Sequence, residues 1–453
     1  MTPYSTHLTN VKKIEKRVVK KTVPKRVVKR VLKKDVVVNE KQFFSVKVPE
    51  SCSIREQNRY VYNVLHDSYL WSDRVLTDAS LIETSTSPRD LLESLRDEGD
   101  HFSYIMDLSK ADTFFGEGRY TNYGFIPFLI TQENQKLALV VAFIYPNSPA
   151  NRAGMRRGDI ITHLDGEEIS EGNIESLYRL LKKSHSVKFT LVKNGKRYTK
   201  TLSKYSYKVK TVSKSHIYLL KDRKVGYLLL SDFIKCSTAE LDGLFRKFKE
   251  RNISELILDL RYNGGGDVRI ANHLASLIGG YNTANKVSEY MYFNDKYSNL
   301  NKTTYFESYN PEQLNLKRLF VLTSARTCSA SERVIHNLKA SATNMEIIQI
   351  GKKTCGKPYG YEGVGVFCNK VLFAINTSST NSDEHELYTD GIEPTCDVDD
   401  DMFRSLGDKD ESMLKEALYY VKHDRCIGAK SEVVESKSFR YKIINFISEA
   451  LGF

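Results

Sequence analysis

The chain has 453 residues, which is more than one ordinary hydrophobic core organises, so we expect two or three domains. Hydrophobic residues make up 41% of the chain and aromatic residues 11%, which is typical of globular proteins. No apolar run reaches the roughly 18 residues that predict a membrane span. The net charge of +12 is concentrated in residues 11–34, which hold 12 Lys or Arg and one acidic residue, Glu15. The rest of the chain is therefore nearly neutral.

This basic stretch lies in an arm that we place at residues 1–45. Like-charge repulsion predicts a disordered, solvated tail. The alternative is an electrostatic tether to anionic lipid, nucleic acid or another polyanion. No aromatic side chain lies among the Lys and Arg residues of this stretch to stack on nucleobases, so no specific nucleic-acid partner is predicted. The first residues show no signal-peptide pattern.

Seven cysteines are scattered along the chain: Cys52, Cys236, Cys328, Cys355, Cys368, Cys396 and Cys426. No Cys-x-x-Cys pair occurs, so we expect no structural zinc site. The odd number leaves at least one free thiol unless chains are cross-linked, which favours a reducing compartment. Cys328 and Cys355 are interpreted as small apolar filler beside the candidate site described below.

Residues 53–100 are predicted to be helical, because residues 53–69 have apolar side chains at helical spacing and Ser87-Pro88 has the pattern of a helix start. Residues 104–205 are predicted to be rich in strands. Their expected elements are a strand at 137–143, a short helix and glycine turn within 148–161, a helix at 175–183, and a hairpin of 187–193 with 197–202.

Residues 206–405 alternate between strand and helix patterns, which predicts an α/β core with functional groups at the ends of strands. The predicted strands are residues 224–230, 255–260, 319–322, 345–350 and 371–377. The predicted helices are residues 237–251, 268–278 and 332–340, and a terminal helix follows at 410–421.

Three segments of this core carry candidate chemistry. Residues 323–332 read Thr-Ser-Ala-Arg-Thr-Cys-Ser-Ala-Ser-Glu between a strand and a helix, where a hydroxyl can be a nucleophile and N–H groups can stabilise an oxyanion. The same residues fit a Ser-x-x-Glu capping box, which is the structural alternative. Residues 258–266 end in Asn-Gly-Gly-Gly, and residues 351–357 contain Cys-Gly-Lys.

With these segments in this order, residues 55–422 resemble the C-terminal processing peptidases, which are tail-specific serine peptidases with a Ser-Lys dyad and an inserted PDZ domain. The resemblance implies an α/β (α+β) multidomain fold with a βα-alternating core. The expected divisions are a basic arm (1–45), a helical region (46–103), a PDZ domain (104–205), a catalytic core (206–422) and a C-terminal extension (423–453).

The resemblance assigns the nucleophile to Ser329, with Ser331 as the rival that we interpret as a structural cap. It assigns the general base to Lys357, whose pKa must fall from near 10.4, and burial would lower it. Backbone N–H groups of Gly266 and Ala330 would form the oxyanion hole. Neighbouring Arg261 and Asn263 are expected to hold the glycine loop rather than react.

The sequence departs from the family pattern at the third catalytic group. Many family members place Gln four residues after the lysine, and here that position is Tyr361, so either Tyr361 or Glu362 could orient Lys357. In the PDZ domain, Tyr123, Gly124 and Phe125 stand where the family binds a terminal carboxylate, and peptide binding there would occur by strand addition.

The sequence therefore predicts a serine endopeptidase that cleaves near the C-terminus of protein substrates, with no cofactor and no metal. The alternatives are a non-catalytic peptide or apolar-ligand binding protein on the same scaffold, and a scaffold acting through its PDZ domain and basic arm. The family commonly works outside the cytoplasm, whereas this sequence shows no export signal, so the compartment stays open. The oligomeric state is also open.

Overall fold

The computed structural model describes residues 46–427 except 133–134, 194–195, 222, 364 and 385–386. The predicted basic arm, and residues 428–453 of the predicted C-terminal extension, lie outside this range. Among the described helices, none combines the length and apolar character needed to cross a bilayer. The mixture of helices and several sheets confirms the predicted α/β multidomain class.

The N-terminal helices form where the local signals predict them. The Ser87 hydroxyl accepts a hydrogen bond from the Asp90 amide and Pro88 begins the helix, as expected for a capped helix start. Apolar side chains of these helices pack on Phe367, Leu372 and Ile375. The elements of this region are helices Ile54–Ser68, Leu81–Thr84, Pro88–Leu95 and Leu108–Ala111, the 3₁₀ turn Ser72–Arg74, the π turn Asp112–Gly116 and the strand Tyr104–Asp107.

An inserted β domain follows. Its sheet has the spatial order Phe125–Thr131, Leu137–Ile144, Ile160–Leu164, Ser186–Lys193 and Lys196–Ser203, with Glu167–Glu168 paired to the third strand. Its helices are Pro149–Arg152 and Ile174–Lys183. The strands Arg119–Asn122 and Tyr205–Lys208 pair antiparallel, so the chain enters and leaves the insertion side by side. Strand Phe125–Thr131 lies at one edge of the sheet.

A six-stranded central sheet organises the core. Its order is Val212–Leu220, Arg223–Leu230, Glu255–Asp259, Arg318–Thr323, Glu346–Gly351 and Cys396–Asp397. The last five strands run parallel, so their carboxyl ends share one edge, where the candidate residues follow.

Helices cover both faces of this sheet. Ser237–Glu250, Val268–Gly279 and Ala330–Leu338 share one apolar cluster with it. Ser412–His423 and the inserted domain share the cluster on the other face. Short 3₁₀ turns occur at Gly280–Asn282, Asp295–Leu300 and Ser341–Thr343.

The prediction of one strand over residues 371–377 is wrong. Lys370–Phe373 joins a three-stranded sheet with Tyr104–Asp107 and Gly365–Phe367, whereas Thr377–Asn381 joins a different sheet with Val287–Phe293, Lys302–Tyr305 and Tyr359–Gly360. The chain changes sheets at Asn376, whose side chain bonds the backbone N–H and carbonyl of Glu362. At Asn376 these side-chain hydrogen bonds take the place of the backbone hydrogen bonds that pair neighbouring strands.

The interpretation of Cys328 and Cys355 as small apolar filler is also wrong, whereas the prediction of at least one free thiol agrees with Cys236. Six of the seven form disulfides, namely Cys52–Cys368, Cys328–Cys355 and Cys396–Cys426, and only Cys236 is free. Cys328 and Cys355 are therefore a covalent link and not apolar filler. Disulfides are typical of oxidising compartments, which removes the argument for a reducing one.

Candidate functional site

The strand Arg318–Thr323 leads into a turn of residues 324–329, which we call the nucleophile turn. Ser329 ends this turn with φ 55° and ψ −117°, a conformation that a side chain rarely adopts, and the helix begins at Ala330. The helix thus starts two residues before the predicted position. Strained backbone at a strand-to-helix turn is a known feature of nucleophilic serines, because it exposes the hydroxyl at the end of a sheet.

Ser331, the rival nucleophile, lies within the first turn of the helix and is fully buried. Its hydroxyl donates to the carbonyl of Asn263 at 3.0 Å. The prediction that Ser331 is a structural cap is therefore wrong, because its side chain links this helix to the glycine loop. Ser329, by contrast, is partly exposed.

The buried carboxylate of Glu332 connects the nucleophile turn with the lysine segment. One oxygen, Oε2, accepts the Ser329 N–H at 2.8 Å and the Lys357 N–H at 2.9 Å. The other accepts the Gly356 N–H at 2.8 Å and the Thr354 hydroxyl at 2.5 Å. Because both N–H groups bind the same oxygen, the distance between the backbone nitrogens of Ser329 and Lys357 is at most the sum of these two hydrogen-bond lengths. Burial raises the pKa of Glu332, and its hydrogen bonds oppose this shift.

The Cys328–Cys355 disulfide is a second connection between the same two segments. It joins the residue before Ser329 to the residue two positions before Lys357, with 5.2 Å between the Cα atoms. Sequence reasoning missed this link, although the two cysteines flanked both candidate catalytic residues. The structure thus brings together the two residues that the sequence placed 28 positions apart.

The amine of Lys357 lies in a largely apolar setting. Its nitrogen is 5.0 Å from the centre of the Phe102 ring and 4.4 Å from that of Tyr361. Burial lowers the pKa of Lys357 to about 8; Asp100 and Glu332 oppose the shift, whereas Arg333 adds to it. The amine is therefore neutral in an appreciable fraction of molecules near neutral pH. Phe102 was not predicted, because it comes from the distant helical region.

The third group at the lysine is Tyr361. Lys357 Nζ donates to the Tyr361 hydroxyl at 2.8 Å, and that hydroxyl donates to the Phe102 carbonyl at 2.5 Å. Because the Tyr361 hydroxyl proton is used in the hydrogen bond to Phe102, the Tyr361 oxygen can only accept a hydrogen bond from the Lys357 amine. Glu362, the other candidate, forms an ion pair with Lys302 at 2.8 Å instead.

The glycine loop, residues 261–266, packs against the nucleophile turn. The Asn263 side-chain oxygen accepts a hydrogen bond from the Gly265 N–H at 2.9 Å. The backbone carbonyl of Asn263 accepts a hydrogen bond from the Cys328 N–H at 3.2 Å. Gly266 has φ 135° and pairs with Phe233. Among the described residues, the N–H groups of Gly266 and Ala330 have no acceptor, so both are available to a ligand.

Substituting alanine for Gly266 is expected to displace this loop and reduce catalysis by on the order of 10²–10³-fold, the effect of losing one oxyanion donor. A Cβ atom there would lie 2.1 Å from the Phe233 carbonyl oxygen. Gly264→Ala is the matched control, since its Cβ would meet nothing within 4 Å. Steady-state kinetics of both variants test this, and equal activity would contradict the placement of the oxyanion hole.

Arg261 anchors the glycine loop and does not reach the dyad. Its fully buried guanidinium pairs with Asp259 at 3.0 Å, Glu411 at 2.7 Å and Asp400 at 2.8 Å. Arg157 of the inserted domain also pairs with Asp400. This buried network ties the loop to the central sheet, the terminal helix and the inserted domain.

The predicted peptide-binding residues lie at the start of the edge strand of the inserted domain. Tyr123 and Phe125 are buried and pack edge-on against Phe189. Gly124 has φ 84°, and a Cβ there would lie 2.0 Å from that of Ser148. Any contact of this loop with a peptide must therefore use backbone groups.

Two clusters have the composition of metal ligands, Cys328–Glu332–Cys355 and Cys396–Glu416–Cys426. In each cluster both cysteines are joined in a disulfide, so neither offers a thiolate to a metal.

Three family models match the chain. The model of peptidase family S41 matches residues 224–398, that of the PDZ domain residues 140–193, and that of the peptidase S41 N-terminal domain residues 56–104. These stretches coincide with the core, the inserted β domain and the helical region described above.

Curated relatives have similar names. The chain is 23% identical over 353 residues to carboxyl-terminal-processing peptidase 3 of Arabidopsis thaliana, covering 75% of this chain and 65% of the relative. It is also 23% identical over 319 residues to the carboxy-terminal processing protease CtpB of Bacillus subtilis, covering 68% of this chain and 62% of the relative. The chain thus spans less than two thirds of either relative.

A solved structure has the same fold. A Bacteroides fragilis protein assigned to the S41 proteases superposes with a TM-score of 0.66 at 23% identity, covering 81% of this chain and 97% of that one. The two chains therefore share a fold, and the peptidase S41 models match the helical region and the core of this chain on either side of the PDZ match.

Proposed function

We propose that this protein is a serine endopeptidase that cleaves peptide bonds near the C-terminus of protein substrates, with Ser329 as nucleophile and Lys357 as general base. The observation that carries the proposal is the double connection between these residues, through the Glu332 carboxylate and the Cys328–Cys355 disulfide. A nucleophile and a base held together beside free N–H groups form the arrangement that acyl transfer requires.

In the proposed reaction, neutral Lys357 takes the proton of the Ser329 hydroxyl as its oxygen attacks the substrate carbonyl. Because one amine N–H donates to Tyr361, that bond sets the direction of the lone pair. The N–H groups of Gly266 and Ala330 stabilise the oxyanion. Lys357 then returns the proton to the leaving amine, and water hydrolyses the acyl-enzyme by the reverse sequence.

Substrate recognition is proposed to involve the PDZ domain. Its edge strand Phe125–Thr131 can pair with an extended peptide, and the loop at Gly124 can supply N–H groups to a terminal carboxylate. The partners would be proteins or peptides with exposed C-termini. The proposal keeps the five divisions predicted from the sequence. For residues 11–34 the prediction stays a solvated tail, with a polyanion or an anionic membrane surface as the alternative partner.

Peptide cleavage and active-site labelling test the assignment. The wild-type protein should cleave a fluorogenic peptide library and be labelled by a fluorophosphonate probe, with the modified peptide containing Ser329. The Ser329→Ala variant should do neither. Tight peptide binding without labelling or cleavage would contradict this proposal and support the non-catalytic binding protein.

The pH dependence follows from the lowered pKa of Lys357. The base works only when neutral, so kcat/KM should rise with pH, reach half its maximum near pH 8 and remain constant above it. A lysine with its ordinary pKa would instead give a rate still rising at pH 10. A pH–rate profile at constant ionic strength measures this midpoint.

Tyr361→Phe is expected to lower the plateau value of kcat/KM by about tenfold or more, because the amine loses the acceptor that orients it. An acceptor of the ammonium N–H favours the charged form, so its loss should also move the rising limb to lower pH. Tyr104→Phe is the matched control, since its ring packs edge-on against Tyr361 without contacting the lysine through its hydroxyl. A lower rate with an unmoved midpoint would indicate a merely structural tyrosine.

A further inference from the structure

The Cys328–Cys355 disulfide lies beside the candidate nucleophile, and both of its residues are partly exposed. In the Cys396–Cys426 disulfide, by contrast, Cys396 is buried. Ser329, which follows Cys328, is also partly exposed, and a turn that an extended peptide reaches is reached by a small thiol as well. Access is one of the properties that decide which disulfides exchange with external thiols. The bond beside Ser329 is therefore open to reduction.

Other bonds also hold the two segments that this disulfide joins. The strands that lead into them, Arg318–Thr323 and Glu346–Gly351, pair in parallel along their whole length. Beyond the strands, the Cys355 N–H donates to the Thr327 carbonyl at 3.0 Å. Breaking the S–S bond leaves these backbone hydrogen bonds in place, so we expect the reduced protein to keep its fold.

Reduction acts first on the carboxylate that holds the dyad together. The Cys355 sulfur lies 3.4 Å from Glu332 Oε2, the oxygen that accepts the N–H groups of Ser329 and Lys357. A sulfur in a disulfide carries no hydrogen and cannot donate to this oxygen, whereas a thiol can. The freed Cys355 thiol therefore competes with the two N–H groups for the same acceptor.

Reduction also changes the spacing of the two segments. Two sulfur atoms that are no longer bonded cannot remain at bonding distance, so the residue before Ser329 and the residue two positions before Lys357 must shift relative to each other. A shift of about 1 Å between catalytic groups can reduce the rate by 10². Breaking this one bond is therefore enough to inactivate the site without unfolding the chain.

We propose that the Cys328–Cys355 pair is a thiol–disulfide exchange site through which a dithiol reversibly inactivates the enzyme. One thiolate of the dithiol attacks a sulfur of the pair and releases the other, and the second thiolate then closes the disulfide of the reagent and releases the first. The pair gains two electrons and the two protons of the dithiol, which is itself oxidised. This inference rests on the proposed function, because it names a means of regulating the same site.

Controlled reduction of the full-length protein tests this inference. The protein is treated with dithiothreitol in the presence of EDTA, because the two free thiols and Glu332 form a group that can hold a metal ion. Cleavage of a fluorogenic peptide should fall by about 10²-fold as Cys328 and Cys355 become open to alkylation, which mass spectrometry quantifies. Circular dichroism should not change, and oxidised glutathione should restore the activity.

Double-serine variants separate this pair from the other two disulfides. Cys328→Ser/Cys355→Ser should have a low rate that dithiothreitol does not change. A variant that lacks either of the other disulfides still contains the exchange site, so its activity should fall on reduction as in the wild type. These control variants are Cys52→Ser/Cys368→Ser and Cys396→Ser/Cys426→Ser.

Amide hydrogen exchange measures the same change without hydrolysis. Because the Ser329 and Lys357 amides donate to Glu332 in the oxidised protein, deuterium uptake in peptides that cover residues 324–340 and 352–362 should become faster on reduction. The Cys328→Ser/Cys355→Ser variant should show the fast uptake with or without dithiothreitol.

Three results would overturn the exchange site. They are a change of less than about twofold in both rate and uptake on full reduction, a loss of activity that accompanies unfolding, and an equal loss on reduction in Cys328→Ser/Cys355→Ser. If the oxidised protein cleaves nothing but uptake still responds to reduction of this pair, the exchange site stands and the peptidase proposal falls.

Discussion

Lys357→Met is expected to lower peptide hydrolysis by on the order of 10⁴-fold or more, the scale of removing a member of a nucleophile–base pair. Methionine has a similar length and no charge, so it fits the space between Phe102 and Tyr361. Because burial disfavours the ammonium, losing it should not destabilise the fold. Circular dichroism and thermal unfolding should therefore match the wild type while turnover disappears.

Lys353→Met is the control for this variant. Lys353 belongs to the same loop but is exposed and forms an ion pair with Glu393, so its contribution should be small. Activity retained in Lys357→Met, or lost equally in both variants, would show that the buried amine is not the base. Fluorophosphonate labelling should also slow in Lys357→Met, because the serine then lacks its proton acceptor.

Removing the Cys328–Cys355 disulfide by replacing both cysteines with serine should reduce both stability and activity. The bond closes a loop with a sequence separation of 27 residues, which predicts a loss of about 3.5 kcal/mol in the free energy of unfolding. The bond also holds the nucleophile turn against the lysine segment, and a displacement of about 1 Å there can reduce the rate by 10².

The Cys396–Cys426 disulfide offers a closely matched control, because its separation of 30 residues gives nearly the same loop closure. Its double-serine variant should lose similar stability but retain activity at temperatures where it is folded. Denaturant unfolding and kinetics of both variants separate the two effects. If both variants lose activity equally, or neither does, the Cys328–Cys355 link does not position the dyad.

Some of the fold depends on local patterns, which is why it could be predicted from the sequence. Ser87-Pro88 starts a helix through its own capping bond. The turn before Ser329 follows a buried parallel strand, and such strands end at a common edge. The third catalytic group could not be chosen in this way, because Tyr361 and Glu362 are adjacent in sequence and differ only in what they meet in space. The Phe102 carbonyl and Lys302 make that choice.

The sequence by itself determined the order of a helical region, a strand-rich region and an α/β core, because their elements follow from short-range spacing. The roles predicted for the hydroxyl, the amine and the glycines came from the resemblance to the C-terminal processing peptidases. Only the tertiary structure decided the cysteine pairing and the carboxylate that joins Ser329 to Lys357. These depend on distances between segments far apart in the chain, which the packing of the sheets and the inserted domain sets.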